Sequence, residues 1–256
     1  MTILNSEKYS VVSFDLDGTI TESRQPIEPY MVNLLNKLTE KVLVVIISGS
    51  SFKNLLNQLD LFLNQENKEI FKNILLMPAN GSETYIYKTT NWEISDSETM
   101  GNETKSKIIE VLEKLIDSKN FNIPEMEVGT KIEDRGTQIS FAALGIDASI
   151  EEKKLWDHDQ EKRKKIVNFI KPLLPETDIF IAGTTTIDIL PKGITKGVML
   201  RKMLSKRTLL DTDLLFIGDA LFEGGNDYEV KKEGFNTIST TGPKETAKII
   251  ESILEK

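Results

Sequence analysis

Asp15 and Asp17, in the stretch Ser13-Phe14-Asp15-Leu16-Asp17-Gly18-Thr19, follow an apolar run that reads as the end of a β-strand. Side chains alternate along a strand, so both acids point toward one face. Their repulsion there opposes ionising both unless a cation lies close by or a proton is shared. Such a pair suits a division of labour in which one carboxylate attacks an electrophile and the other moves a proton. Other polar signals follow apolar runs in the same way. "VVIISGS" ends on Ser48 and Gly49, and "LLFIGDALFEGGND" delivers Asp219 and then Asn226 and Asp227. Lys196, in "DILPKGITKGVML", falls in the first turn of a helix expected to begin near Thr195. Carboxylates, a hydroxyl beside a glycine N–H and an ammonium, brought to one point, are the groups that hold a phosphoryl group and Mg²⁺.

Each residue type has a role in that chemistry. Asp15 and Asp219 offer the hard oxygen ligands that Mg²⁺ prefers. Asp15 is the candidate nucleophile and Asp17 the candidate acid and base. Ser48 and Lys196, with the backbone N–H groups around Asp17 and Gly49, are placed to neutralise the oxygens of a transferring phosphoryl group. Asn226 and Asp227 are expected just outside the metal ligands, supporting them. Gly18 lets the backbone approach closely. A calcium loop does not fit, because counting from Asp15 puts Gly18 at the fourth position and Pro26 at the twelfth, where an EF-hand needs glycine at the sixth and glutamate at the twelfth.

The elements that must position these residues read as a βαβ series. "YSVVSF", a helix from about Ile27 to Leu38, "KVLVVII", a helix from Phe52 to Leu63 and "ILLM" form one block, and "DLLFIGD", a helical stretch after Gly225, "FNTIST" and a helix opened by Pro243 form another. That rhythm predicts an α/β fold with a Rossmann-like parallel sheet. Between the blocks the texture changes to hairpin-like strands in "TYIYKTTNWEIS", a helix over Thr104 to Asp117, a strand around "GTQISFAAL", a charged helix near Asp157 to Ile170 and "DIFIAG". An α+β cap inserted into the core is the expectation, with the core at 1–83 and 186–256 and the cap at 84–185. In such sheets ligands gather beyond the carboxyl ends of the strands, where the polar signals fall.

Composition narrows the partners. The chain has 256 residues, 39% of them hydrophobic, enough for a substantial core. It has no cysteine and one histidine, which excludes disulfides, thiolate sites and histidine-rich metal sites. Its net charge is −8, with Lys and Arg scattered among acids, so no nucleic-acid partner is expected. The segment "EEKKLWDHDQEKRKK" (151–165) reads as the solvated face of a helix, with His158 exposed and inert. No membrane span or leader is evident, and the expectation is a cytoplasmic protein. Nothing in the sequence speaks to oligomeric state.

In order, "DLDGT", "ISGS", Lys196 and "GDALFEGGND" resemble the motifs of the haloacid dehalogenase-like phosphotransferases. A closer likeness, to eukaryotic-type phosphomannomutases, runs over nearly the whole chain through "FDLDGTITESRQPI", "SGSSFKNLLNQL", "PANGSETY", "RGTQISF", "IDILPKGITKG" and "GDALFEGGNDYEV". The resemblance implies Asp15 as nucleophile, Asp17 as acid and base and, through its carbonyl, a metal ligand, with Asp219 completing the protein ligands. It also implies Arg24, Thr186 and Asp188 as sugar-phosphate contacts on the core side or hinge. The likeness is incomplete in the cap. Where that family carries an arginine after the phenylalanine of a segment like "ISF", this chain has Ala142, and "ALGIDASIEEKK" lacks the arginines expected next. A mutase needs a second phosphate subsite; hydrolysis needs one. The leading expectation is therefore a Mg²⁺-dependent phosphatase acting on a small phosphorylated metabolite, a sugar phosphate. A phosphomannomutase-like enzyme comes second and a non-catalytic sugar-phosphate sensor third.

Overall fold

The computed structural model describes residues 8–124 and 128–255. In chain order its strands are β1 (Val11–Phe14), β2 (Leu43–Ile47), β3 (Ile74–Met77), β4 (Glu83–Lys88), β5 (Asn91–Ser97), β6 (Ile132–Asp134), β7 (Ile139–Ala142), β8 (Thr177–Ala182), β9 (Thr186–Pro191), β10 (Leu214–Gly218) and β11 (Asn236–Ser239). The α-helices are α1 (Pro29–Thr39), α2 (Phe52–Gln58), α3 (Asp60–Leu63), α4 (Asn102–Asp117), α5 (Ile150–Trp156), α6 (Glu161–Ile170), α7 (Lys196–Lys206), α8 (Tyr228–Lys232) and α9 (Pro243–Leu254).

The chain divides into two compact units, the first comprising residues up to Ser97 together with Thr195–Lys256, the second Glu98–Ile194. The first holds a seven-stranded sheet in the order β11-β10-β1-β2-β3-β4-β5, parallel from β11 to β3 and antiparallel beyond. Runs such as VVSF, ILLM and LLFIG are buried along their whole length, as strands covered on both faces must be. Strand order reverses at β1, which has β2 on one side and β10 on the other. This switch point is where an open α/β sheet leaves a crevice. The helix expected over Phe52 to Leu63 is instead two, α2 and α3, with Leu59 between them.

The second unit holds a four-stranded antiparallel sheet, β6-β7-β9-β8. Ile139, Phe141, Ile187 and Ile189 from the strands form one core with Ile108, Leu112 and Leu115 of α4 and Ile166 and Ile170 of α6.

The unit boundaries differ from 83/84 and 185/186 at both crossings. The β4–β5 hairpin extends the parallel sheet because its aromatic residues have partners there. Tyr85 stacks on Phe52 with ring centroids 3.5 Å apart, and Phe71 meets Tyr87 at 5.0 Å and Trp92 at 5.9 Å. Strand β9 belongs to the second unit because Ile187 and Ile189 fill that unit's core. The segment 151–165 is not one solvated helix. It breaks between α5 and α6, where Asp157 and Arg163 are both buried and joined by a 2.7 Å ion pair. Arg163 also donates to the carbonyls of Ala182 and Gly183, at 3.1 and 2.8 Å. His158 is exposed, as expected.

Candidate active site

Asp15 directly follows β1, and its N–H still pairs with the Ile217 carbonyl of β10 at 3.0 Å. The chain then turns tightly, with the Leu16 carbonyl accepting from the N–H groups of Thr19, Ile20 and Thr21. Gly18 makes this possible. Its φ is +82°, and a Cβ there would lie 2.5 Å from the Asp219 carboxylate. Thr19 ties the two strand ends together, its hydroxyl donating to Asp15 Oδ2 at 3.4 Å and accepting from the Asp219 N–H at 3.1 Å.

Beyond β10 the loop returns Asp227 beneath the strand end, fully buried, its Oδ2 accepting from the Ala220 N–H at 3.2 Å. Gly218 has no side chain because a Cβ would strike that carboxylate. Lys196 opens α7, whose N-cap Thr195 accepts from the Val198 N–H at 3.2 Å. Gly197 lets this first turn approach α8, since a Cβ would sit 2.7 Å from the Glu229 carbonyl. The Lys196 ammonium, fully buried, lies 2.5 Å from Asp15 Oδ1 and 2.6 Å from Asp227 Oδ1.

One ammonium therefore faces several acids. Carboxylate oxygens of Asp15, Asp219 and Asp227 all lie within 4.8 Å of one another. Burial is the largest influence on Asp15, and with Asp227 and Asp219 nearby it pushes the carboxyl up to about 8 against the opposing pull of Lys196. Burial and Asp227 likewise raise Asp219. Burial alone would lower Lys196, but Asp15 and Asp227 outweigh it and raise the ammonium above its ordinary range. The excess negative charge and an all-oxygen donor set fit a divalent cation of the hard kind.

The Ser48 loop completes this end of the sheet. The Ser48 N–H pairs with the Met77 carbonyl at 3.0 Å, and its hydroxyl oxygen accepts from the Ser50 N–H at 3.0 Å. Ala79 and Asn80, at φ of 48° and 56°, form a left-handed turn whose N–H groups bond the carbonyls of Ser50 and Ser48 at 2.9 and 2.8 Å. Asp17 accepts from the Arg24 backbone N–H at 2.6 Å and from the Ser50 hydroxyl at 3.5 Å.

The fold thus brings Asp15, Lys196, Asp219 and Asp227 together, with Asp17 and Ser48 on loops of the same unit. Asp227 stands in the acidic cluster itself rather than outside it, whereas its neighbour Asn226 is exposed. Thr186 and Asp188 are not on the core side or hinge. They lie on β9 of the second unit, because their strand alternates with core residues Ile187 and Ile189. There Asp188, buried, accepts from the Ser140 hydroxyl at 2.6 Å, and Arg135 lies 4.0 Å away while pairing Glu133 at 2.6 Å. Sequence reading passed over Thr19, although it closes the "DLDGT" stretch, and Ser140, whose signal is its register opposite Asp188.

A buried aspartate at the sheet's switch point, with an ammonium and further acids around it, is an arrangement able to hold a phosphoryl group and a divalent cation. The structure is similar to a Plasmodium falciparum IMP-nucleotidase (TM-score 0.71, 15% identity, 98% of this chain and 69% of that one). It is also similar to a haloacid dehalogenase-like hydrolase from Bacteroides thetaiotaomicron (TM-score 0.65, 17% identity, 96% and 100%). The protein is an enzyme of the haloacid dehalogenase-like phosphotransferase class. Within that class, the family model for eukaryotic phosphomannomutase matches residues 31–256. The chain is 26% identical to a phosphomannomutase of Encephalitozoon cuniculi (98% of this chain, 95% of the relative) and 28% identical to one of Spinacia oleracea (93% of each). It is also 28% identical to phosphomannomutase 2 of Dictyostelium discoideum (99% and 100%). It belongs to the eukaryotic phosphomannomutase family. Among the described residues no helix is long and apolar enough to cross a membrane.

Proposed function

We propose that the protein is a Mg²⁺-dependent hexose-phosphate mutase that moves a phosphoryl group between sugar positions through an aspartyl-phosphate on Asp15. The observation that carries this reading is the buried Asp15–Lys196–Asp227 group beside Asp219, in a chain matched by the phosphomannomutase family over 31–256. Asp15 attacks phosphorus, the bond from phosphorus to the leaving sugar oxygen breaks, and Asp17 gives that oxygen its proton. In the second half Asp17 takes the proton of the acceptor hydroxyl, which attacks the phosphoryl group and frees Asp15. Lys196 neutralises phosphoryl oxygens, and Ser48 and the Gly49 N–H orient them. Asp15, Asp219 and Asp227, with the Asp17 carbonyl, are the groups that would hold Mg²⁺, which when bound supplies positive charge to the phosphoryl oxygens. Arg24 on the core, and Thr186 and Asp188 on β9, are the proposed sugar-phosphate contacts.

The family favours transfer over the hydrolysis that Ala142 suggests, and the second unit's sheet supplies a reason. Ala142 donates its N–H to the carbonyl of Lys131 at 2.7 Å, in the register that pairs Ile132 with Phe141. Directly opposed residues present their side chains on one face. A buried lysine, directly before β6, thus stands opposite the alanine. We assign the distal-phosphate contact to Lys131. The test follows mannose 1-phosphate and a hexose bisphosphate by ³¹P NMR, with wild type and Lys131→Met. Interconversion faster than orthophosphate release, reversed in the variant, is expected. Release outrunning interconversion in the wild type would instead make the enzyme a phosphatase.

A further inference from the structure

Ser50 lies between the Ser48 turn and α2 in the first unit, and its three polar groups reach three different neighbours. Its N–H donates to Ser48 Oγ at 3.0 Å, its carbonyl accepts from the Ala79 N–H at 2.9 Å, and its hydroxyl donates to Asp17 Oδ2 at 3.5 Å. The hydroxyl is not spent on capping α2, because Ser51 is the N-cap and accepts from the Asn54 N–H at 3.4 Å. With its N–H and carbonyl both anchored, the backbone of Ser50 is fixed, and rotation about a single bond aims the hydroxyl at Asp17.

The two oxygens of Asp17 are held unequally. Oδ1 accepts from the Arg24 backbone N–H at 2.6 Å, a short bond of the charge-assisted kind. The hydroxyl oxygen of a carboxylic acid is the poorer acceptor, so in the acid form the proton belongs on Oδ2, the oxygen that Ser50 contacts. A serine hydroxyl both donates and accepts, so it can stay beside Oδ2 in either protonation state. The 3.5 Å contact is long, as catalytic hydrogen bonds often are before the reacting complex tightens them.

We propose that Ser50 is the positioning residue for the acid and base: it fixes the plane of the Asp17 carboxyl so that Oδ2 faces the leaving sugar oxygen, and through its N–H it ties that acid to Ser48. As the bond from phosphorus to the sugar oxygen breaks, its electron pair passes to that oxygen and the Oδ2 proton follows. Asp17 is left as a carboxylate, to which the Ser50 hydroxyl donates. This role rests on the phosphotransfer reading and assigns the geometry of its proton-transfer step.

The test compares wild type, Ser50→Ala and Ser50→Thr on two phosphoryl donors. The sugar oxygen of mannose 1-phosphate, supplied with a hexose bisphosphate, leaves only with a proton, whereas the phenolate of 2,4-dinitrophenyl phosphate leaves without one. General acid and base catalysis contributes roughly a hundred- to ten-thousandfold, and misplacing the acid should forfeit part of it. Ser50→Ala should therefore lower kcat on the sugar phosphate at least about tenfold with KM changed less than about twofold, and Ser50→Thr, which keeps the hydroxyl, should restore most of the loss. The first-turnover burst of dinitrophenolate, which reports phosphorylation of Asp15, should keep its rate within about threefold in Ser50→Ala. Equal losses on the two donors would put the hydroxyl on the phosphoryl group or in the fold, and would overturn the proposal. So would a loss carried by KM, one that threonine leaves unrepaired, or no loss at all. If wild type gives no burst, the split between kcat and KM and the threonine rescue decide. Wild type that transfers phosphoryl from neither donor refutes the phosphotransfer reading itself; active wild type with an unchanged Ser50→Ala refutes Ser50 alone.

Discussion

Replacing Lys196 by methionine keeps most of the side-chain volume and removes the ammonium between Asp15 and Asp227, whose carboxylates lie at 2.5 and 2.6 Å from it with no more than 3% side-chain exposure. Truncating one partner of a buried ion pair costs roughly 3 to 5 kcal/mol, because the remaining charge is left unsolvated. Here two carboxylates lose their counter-ion together, and protonation of one limits the loss, so we expect about 3 to 5 kcal/mol rather than twice that. Domains have about 5 to 15 kcal/mol in all, so the first unit should be severely weakened. The two tryptophans separate the units, Trp92 lying in the first and Trp156 in the second. In a Trp156→Phe background, urea unfolding followed through Trp92 should show the midpoint of Lys196→Met falling by at least about 1 M. Phosphotransfer should fall by a thousandfold or more, since the cation proposed to neutralise the transferring group is gone. Lys206→Met, which breaks an exposed pair, should stay within about 0.5 kcal/mol of the parent. A Lys196→Met midpoint as close to the parent as that control would refute the claim that this ammonium offsets the buried acids.

Metal dependence is the second expectation: chelator abolishes turnover, Mg²⁺ restores it, and Asp219→Asn raises the Mg²⁺ concentration required, as a metal titration of initial rates will show; full activity in chelator would remove the metal from the site. The third concerns the second unit. Burial by itself raises Asp157, but Arg163 and the N–H groups of Lys162 and Arg163 outweigh it and hold the carboxyl below its ordinary range. A depressed folded-state pKa stabilises above the unfolded value near 4, and that contribution is lost as pH falls through the lower folded one. Arg163→Met should therefore cost about 3 to 5 kcal/mol at pH 7, with the gap to wild type narrowing below about pH 4, measured by urea unfolding through Trp156; a gap constant with pH would refute the pairing.

Local chemistry determined much of this protein before any coordinates. Continuous apolar runs such as VVSF and LLFIG belong in a parallel sheet, because strands covered on both faces cannot alternate. Polar residues closing those runs belong at strand ends, so Asp15, Ser48 and Asp219 are legible as residues at one end of the parallel sheet, and Lys196 as the head of a helix. Tertiary packing decided the rest. The hairpin 83–97 reads locally as any hairpin and joins the core sheet because Phe52 and Phe71, distant in sequence, meet its aromatic rings. Asp227 enters the acidic cluster because a long loop folds back beneath Gly218, where no side chain blocks it. Arg163 looks like one more solvated charge in "EKRKK" until Asp157 and the carbonyls of Ala182 and Gly183 surround it. Lys131 stands opposite Ala142 through the hydrogen bond that continues the β6–β7 register by one residue, which a linear pattern does not contain. Periodicity and turn chemistry are properties of neighbours along the chain, whereas a buried charge, a ring stack or a cross-strand pair depends on which distant segment arrives beside it.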